Sequence, residues 1–235
     1  MRGATPRARG FTLIELLVAL FAMALLAVLS WRGLDGMTRA QAQTEARSVE
    51  VLALQVGLDQ WGADLDALTQ FPAVRALDWN GRVLRLTRRG TASAEEGVRV
   101  VAWTRRVVNG AGTWLRWQSP PLTTRGQVEE AWQRADLWSQ NPGDDERRLE
   151  VAVTPLQEWQ LFYFRENAWT NPQSSDVTSA PSAGAAPGAP TATVAAATNV
   201  LPDGIRLVLV LPEGQAISGT ITRDWVRPTA GGTRS

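Results

Sequence analysis

The sequence predicts an α+β protein in which one long N-terminal helix packs on antiparallel β-sheets. Near the N-terminus lies a run of about nineteen apolar residues, within "FTLIELLVALFAMALLAVLSW". A helical period of apolar residues follows that run, and from Asp78 onward the period changes to two. Since a helix followed by antiparallel strands buries its apolar side on a sheet, we expect the helix to cover a sheet face.

Residues 11–31 are long and apolar enough to cross a bilayer as one transmembrane helix. The basic residues Arg2, Arg7 and Arg9 precede this run and predict that its N-terminal end stays in the cytoplasm. One carboxylate, Glu15, lies near the start of the run, and no cationic residue accompanies it there. Because a charge in hydrocarbon is costly without a partner, Glu15 is a candidate functional residue.

Two simpler interpretations of the N-terminus remain open. A removable signal peptide would explain the basic residues and the apolar run, but the run is longer than usual and "LSWRGLDGM" offers no small-x-small cleavage site. An ordinary uncleaved signal anchor would explain both features. Neither interpretation explains Glu15, for which the simple alternative is a carboxylate that extends to the membrane surface.

The helix is predicted to continue beyond the membrane through residues 32–70, because no proline occurs before Pro72. Polar residues dominate between Asp35 and Ser48. Beyond them, apolar residues recur at spacings of three and four, which places them on one face of a helix; they are Val51, Leu54, Leu58, Trp61, Leu65 and Leu68. We therefore expect a helix of two halves, one in the bilayer and one packed on a globular domain.

Residues 71–228 are predicted to form the β-rich domain. Asn109-Gly110 indicates a tight hairpin, Pro212 to Gly214 a second turn, and residues 124–140 a short helix. Seven segments read as strands, with alternating or β-branched and aromatic residues; they are residues 81–89, 97–108, 113–118, 148–154, 158–166, 204–211 and 216–225.

Residues 171–199 belong to no predicted helix or strand, since they consist almost wholly of Ala, Pro, Ser, Thr and Gly. Such a segment buries too little apolar area to offset its ordering entropy, so it is predicted to be flexible. Only about 35 residues follow it, too few for a second domain. We therefore expect an inserted loop whose flanking strands belong to one sheet system.

Composition argues against most common catalytic mechanisms. Among 235 residues there is no Cys, His or Lys, so the 24 basic side chains are all Arg. The chain thus lacks imidazole bases, thiol nucleophiles, Schiff-base lysines and the usual zinc ligands. We predict that the protein is not an enzyme, that it has no catalytic or metal-ligating residues, and that it needs no cofactor.

The sequence also disfavours three other kinds of site. The pairs Arg88-Arg89, Arg105-Arg106 and Arg147-Arg148, with 11 Trp, could grip single-stranded DNA. Without residues 1–10, however, 21 basic and 23 acidic side chains remain, a poor balance for binding nucleic acid.

The loop "NPGDDER" offers Asp144, Asp145 and Glu146 to calcium but lacks alternating ligand spacing. Asp64 and Asp66 could act as paired carboxylates, but they point to different sides of a helix.

The segment from Arg9 to about Leu29 resembles the N-terminus of type IV pilins and type II secretion pseudopilins. That motif is a basic leader ending in Gly, then an aromatic residue, Thr, an aliphatic pair, Glu and an apolar helix; here it is "RG" followed by "FTLIELLVAL". The resemblance implies that prepilin peptidase removes residues 1–10 by cutting between Gly10 and Phe11, and that Phe11 is then N-methylated. It also implies that Glu15 is an assembly residue, which meets the new N-terminal amine of a neighbouring subunit.

Within that family, "WRGLDGMTRAQAQTEAR" and the closing "LPDGIRLVLVLPEGQAISGTITRDW" resemble a J-class minor pseudopilin. This resemblance implies I- and K-class minor pseudopilins and the major pseudopilin as partners, and contact with secreted proteins. The acidic balance of the chain without residues 1–10 predicts that nucleic acid is not a partner. The resemblance also implies a single-pass protein of the bacterial inner membrane with a periplasmic C-terminal domain, placed at the pseudopilus tip, where it starts assembly. A minor pilin of a type IV pilus is the alternative.

Overall fold

A computed structural model describes residues 11–72, 74–90, 97–173 and 201–228. The predicted leader, residues 1–10, and residues 174–199 of the predicted insert lie outside the described residues. The chain divides into two units, of which the first ends at Val49 and the second begins at Glu50. Helix α1, Leu13–Asp66, supplies the described part of the first unit and the first element of the second.

In the first unit, every described residue is exposed. The apolar side chains of its N-terminal part are therefore solvent-exposed rather than packed: Leu13 is 79% exposed and Phe21 71%. Since an apolar helix surface of this length is unfavourable in water, it requires lipid or other helices around it.

The second unit contains two antiparallel sheets. The first sheet has the order β1–β2–β3–β4–β5 and the second the order β7–β6–β8–β9. The strands are β1 Leu77–Trp79, β2 Val83–Arg89, β3 Val98–Val108, β4 Ala111–Gln118, β5 Glu150–Pro155, β6 Glu158–Arg165, β7 Ala168–Thr170, β8 Gly204–Leu211 and β9 Gly219–Val226. Two further helices, α2 Arg125–Gln140 and α3 Asp144–Arg148, lie between β4 and β5.

Two hydrophobic clusters hold this unit together. The larger one joins side chains from the end of α1, from one face of the first sheet and from the second sheet. The smaller one joins the other face of the first sheet to α2. The first sheet is therefore covered on both faces, whereas the second sheet contributes only one row of side chains per strand to a core.

The apolar stripe predicted on the second half of the helix is confirmed through Leu65, whereas the helix ends at Asp66 rather than at residue 70, and Leu68 lies beyond it in a bridge to Arg88. Leu54, Trp61 and Leu65 are at most 3% exposed, and the remaining members of the stripe are half-buried. Gly57 lies on the same face, where an added Cβ would stand 2.2 Å from Cγ1 of Val153 on β5. Glycine at this position lets the helix approach the sheet closely.

Helix α2 shows why residues 124–140 fold as predicted. Thr124 is the N-cap, and Thr124 and Gln127 form a reciprocal capping box at the helix start. The buried side chains follow the helical spacing of three and four, which turns one apolar face towards the first sheet; they are Val128, Ala131, Trp132, Ala135 and Trp138.

The predicted α+β class, with its N-terminal helix packed on antiparallel sheets, is confirmed. Each of the seven predicted strands is present, and the Asn109-Gly110 hairpin joins β3 to β4, with both turn residues at positive φ. The strands before and after the predicted insert lie in one sheet, since β6 pairs with β8. The short elements β1, β7 and α3 were not predicted, because three to five residues carry too little periodicity to be read.

A buried carboxylate joins the end of α1 to the first sheet. The Asp64 side chain is fully buried and accepts hydrogen bonds from Trp103 Nε1 at 2.9 Å and from Arg116 Nε and Nη2 at 2.8 Å each. Arg88 Nη1 and Gln60 Nε2 also donate to it. The charge on Asp64 is thus compensated by two guanidinium groups, as a buried ion requires.

Candidate processing and assembly site

The N-terminal helix begins with a capping box that encloses Glu15. The backbone N–H and the hydroxyl of Thr12 each donate to Glu15 Oε2 at 2.9 Å, and the Glu15 N–H donates to Thr12 Oγ1 at 3.4 Å. Thr12 precedes the first helical residue, and Glu15 is the third residue of the helix, so the two occupy the N-cap and N3 positions. The carboxylate therefore has donors within its own chain.

This geometry holds the Glu15 carboxylate at the start of the helix. Carboxylates are favoured at helix N-termini because they face unpaired backbone N–H groups and the positive end of the helix dipole. Both hydrogen bonds that Glu15 accepts from described residues reach Oε2, so its other oxygen, Oε1, remains available to a cation from outside these residues. Phe11, one residue before the cap, is 89% exposed.

The amino-acid sequence itself carries a signal for this cap. "TLIE", Thr12 to Glu15, has the T-x-x-E spacing of a capping box directly before an apolar run. Reading it would have identified Thr12 as a partner of Glu15 without any structure. Gly10, the predicted residue before the cleavage site, lies outside the described residues.

By its length and composition, α1 could cross a membrane: its most apolar 18-residue window has a mean hydropathy of 2.6. None of that window is buried within the protein, unlike the core helix of a globular domain. An uncovered apolar helix at the N-terminus suggests membrane anchoring.

The arginine pairs considered for DNA binding are largely engaged in contacts within the domain. Arg88 binds the buried Asp64, and Arg106 pairs with Glu150 and donates to the Trp138 carbonyl oxygen. Arg105 donates to the carbonyl oxygen of Leu156. These guanidinium groups stabilise the fold, and their hydrogen bonds compete with any to phosphate.

Most tryptophans are core residues rather than surface residues. Eight of the 11 are buried, and five of those are among the largest fully buried side chains. Trp31 is exposed, and Trp79 and Trp169 are half-buried. The excess of aromatic residues is therefore explained by packing between helices and sheets, and it does not indicate a stacking surface for nucleic acid bases.

The structure also shows where the acidic residues considered for calcium binding and for paired-carboxylate chemistry lie. Asp144, Asp145 and Glu146 form the first turn of α3, and within the described ranges no group of three His, Cys, Asp or Glu side chains is arranged to hold a metal ion. Asp66, unlike the buried Asp64, is exposed and accepts a hydrogen bond from Trp225 Nε1 at 2.8 Å. Each of the two carboxylates therefore has its own structural partners.

Comparison with known protein families adds a finding on the N-terminal segment. Residues 5–31 match the sequence model of the prokaryotic N-terminal methylation motif, a range that contains Gly10, Phe11, the capping box and the apolar half of α1. No curated protein matches the chain. Together with the exposed apolar helix and its placement before antiparallel sheets, the motif indicates a type IV pilin-like protein with a prepilin-type N-terminus.

Proposed function

We propose that this protein is a minor pseudopilin of a type II secretion system, of the J class. In this proposal it joins I- and K-class minor pseudopilins at the tip of the pseudopilus, starts assembly of the major pseudopilin below it, and supports export of proteins across the outer membrane. It is a single-pass protein of the inner membrane with a periplasmic C-terminal domain, and it acts by assembly rather than by catalysis.

The N-terminal methylation motif is the observation that carries this proposal. A motif that directs processing to Phe11 leaves an apolar helix at the new N-terminus, and none of the described residues of that helix before Val51 is buried by its own chain. Such a helix exchanges lipid contacts for contacts with other helices at little cost, because lipid tails are as apolar as leucine. This is what a filament core built from helices requires.

Glu15 supports an assembly role. Its Oε2 atom is held by Thr12, and Oε1 is open to the amine of a neighbouring processed subunit. A carboxylate paired across subunits is stabilised in the assembled filament, whereas an unpaired buried charge costs several kcal/mol. Pairing in the filament therefore favours docking of a subunit in the correct register.

A minor pilin of a type IV pilus is the second candidate, since the same motif serves both kinds of filament. The two functions predict different phenotypes when the gene is deleted. We expect deletion of the gene to abolish export of secreted enzymes into the medium and to leave surface pili and twitching motility intact. Normal export with loss of pili would reject the secretion role and favour the pilus.

Processing is expected at the Gly10–Phe11 bond. Intact mass of the protein purified from membranes is expected to show loss of residues 1–10 and gain of one methyl group on Phe11. A Gly10→Ala variant is expected to accumulate with the leader attached, because a side chain at this position obstructs the peptidase. An unprocessed native chain in cells with active prepilin peptidase would contradict this prediction.

A further inference from the structure

Among the described edge strands, β9 is the one that is neither short nor interrupted by a register shift or proline, and its charged residues are Arg223 and Asp224. The edges β1 and β7 have three residues each, and β5 pairs with β4 through a register shift and ends at Pro155. Short length, bulges and proline all discourage the pairing of another strand at an edge. β9 instead runs for eight residues, without proline, in unbroken register with β8.

The hydrogen bonds between β9 and β8 show which backbone groups of β9 point away from the sheet. The N–H of Arg227 donates to the Asp203 carbonyl oxygen at 2.8 Å, and this pair continues the register between β9 and β8. Because hydrogen-bonded and non-hydrogen-bonded pairs alternate in an antiparallel ladder, the odd-numbered residues of β9 bond to β8. The even-numbered residues direct their backbone N–H and C=O groups away from the sheet; this outward row is Thr220, Thr222, Asp224 and Val226, and all four are exposed.

Arg223 determines what kind of strand fits there. Its side chain is exposed and forms no ion pair with any residue that the structure describes, and its neighbour across the ladder is Leu207. Asp224 is no substitute partner, since Arg206 Nε and Nη2 each donate to its carboxylate at 2.7 Å and lower its pKa. Opposite charges that face each other across a strand pair stabilise it, so an added strand is favoured when it places an acid opposite Arg223.

From this geometry we propose that β9 receives an extended, acid-bearing segment of a different polypeptide, which adds a fifth strand to the second sheet. The backbone hydrogen bonds of the outward row hold the segment, and an Asp or Glu opposite Arg223 fixes its register. Strand addition of this kind combines affinity from the main chain with specificity from alternate side chains. Apolar residues two positions before and after that acid would lie on the same face as Arg223, next to the half-buried Ile221 and the buried Trp225.

A second copy of this chain fits the edge poorly. In an antiparallel pairing of two β9 strands about a two-fold axis, facing residues lie on the same side of the sheet, so odd-numbered residues face odd-numbered ones. Arg223 would then lie opposite Gly219, Ile221, another Arg223 or Trp225, and none of these is acidic. Charge complementarity therefore favours a different chain. This inference does not depend on which kind of filament the protein serves.

The test uses the full-length protein in detergent micelles and two synthetic probes. The first probe is the capped peptide Thr-Val-Thr-Glu-Thr-Val-Thr, and the second has Lys in place of Glu. With the Glu peptide at millimolar concentration, we expect amide hydrogen exchange to slow about tenfold at Thr220, Thr222 and Asp224. Exchange at Ile221 and Arg223, already bonded to β8, is expected to change little. The Lys peptide is expected to slow exchange less.

Three variants separate edge pairing from unspecific adhesion. Thr222→Pro removes one outward N–H but none of the bonds to β8, so it is expected to abolish the slowing, whereas the matched Thr222→Val variant keeps it. Arg223→Glu is expected to reverse the preference between the two peptides. Equal slowing by both peptides that Thr222→Pro leaves unchanged would overturn the proposal. Slowing without peptide as the protein concentration rises would overturn it in favour of a second copy.

Discussion

Replacing Asp64 with alanine is expected to lower the free energy of unfolding of the second unit by about 3–5 kcal/mol, the usual cost of removing one partner from a buried ion pair. The substitution leaves the side chains of Arg88 and Arg116, which are 8% and 13% exposed, without a counter-ion, and it removes the acceptor of the buried Trp103 N–H. Urea unfolding of the full-length protein in a mild detergent, followed by tryptophan fluorescence, measures the loss.

Asp59→Ala is the matched control for this experiment. Asp59 is an exposed aspartate on the same helix, and surface substitutions change stability by about 0.5 kcal/mol or less. Asp64→Asn separates shape from charge, because the amide keeps an acceptor for Trp103 but cannot neutralise two guanidinium groups; we expect an intermediate loss. If Asp64→Ala and Asp59→Ala unfold at the same urea concentration, the buried cluster does not hold the helix on the sheet.

The position of Asp64 illustrates what could not be predicted from the sequence. A lone aspartate between Trp61 and Leu65 indicates a charge on the apolar face, yet its partners Arg88 and Arg116 are 24 and 52 residues away. No local pattern identifies such partners, because the folding of β2 and β4 beside α1 brings them together. The helical period itself predicted the buried face correctly, since it depends only on spacing along one element.

Gly57 is a second residue whose role depends on contacts with residues distant in the sequence. In the sequence it is a residue that weakens a helix by about 1 kcal/mol relative to alanine. In the structure it lies against Val153, and Gly62, five residues later, has open space around it. Two glycines with the same intrinsic cost thus differ in role, and only the approach of β5 distinguishes them.

The candidate site was more accessible to sequence reasoning, because its residues are close together in the chain. Phe11, Thr12 and Glu15 fall within five residues, so a linear motif carries their relationship, and residues 5–31 match that motif. The cost of an unpaired charge marked Glu15 as a candidate functional residue, and the resemblance to pilins implied its role across subunits. Its hydrogen bonds with Thr12 were not predicted, although the capping-box spacing was present.

Those hydrogen bonds give Glu15 two separable roles, as a helix cap and as a charge. Glutamine also serves at the third position of a capping box, so Glu15→Gln keeps an acceptor for the Thr12 N–H and removes only the charge. Glu15→Ala removes both, and Thr12→Val removes the hydroxyl while the charge remains. The three variants therefore report separately on the cap and on the ion pair.

We expect Glu15→Gln and Glu15→Ala to insert into the membrane at native levels or better, since each removes a charge that is costly in lipid. Recovery in a detergent-extracted complex with partner pilin-like subunits is expected to fall about tenfold or more for both, because the neighbouring amine loses its counter-ion. Thr12→Val weakens a cap worth about 1 kcal/mol of helix stability but keeps the charge, so its recovery in the complex is expected to stay near the native level. Full recovery of Glu15→Gln would show that the cap, and not the charge, is what assembly uses, since the amide keeps an acceptor for both hydrogen bonds that Glu15 accepts from the described residues.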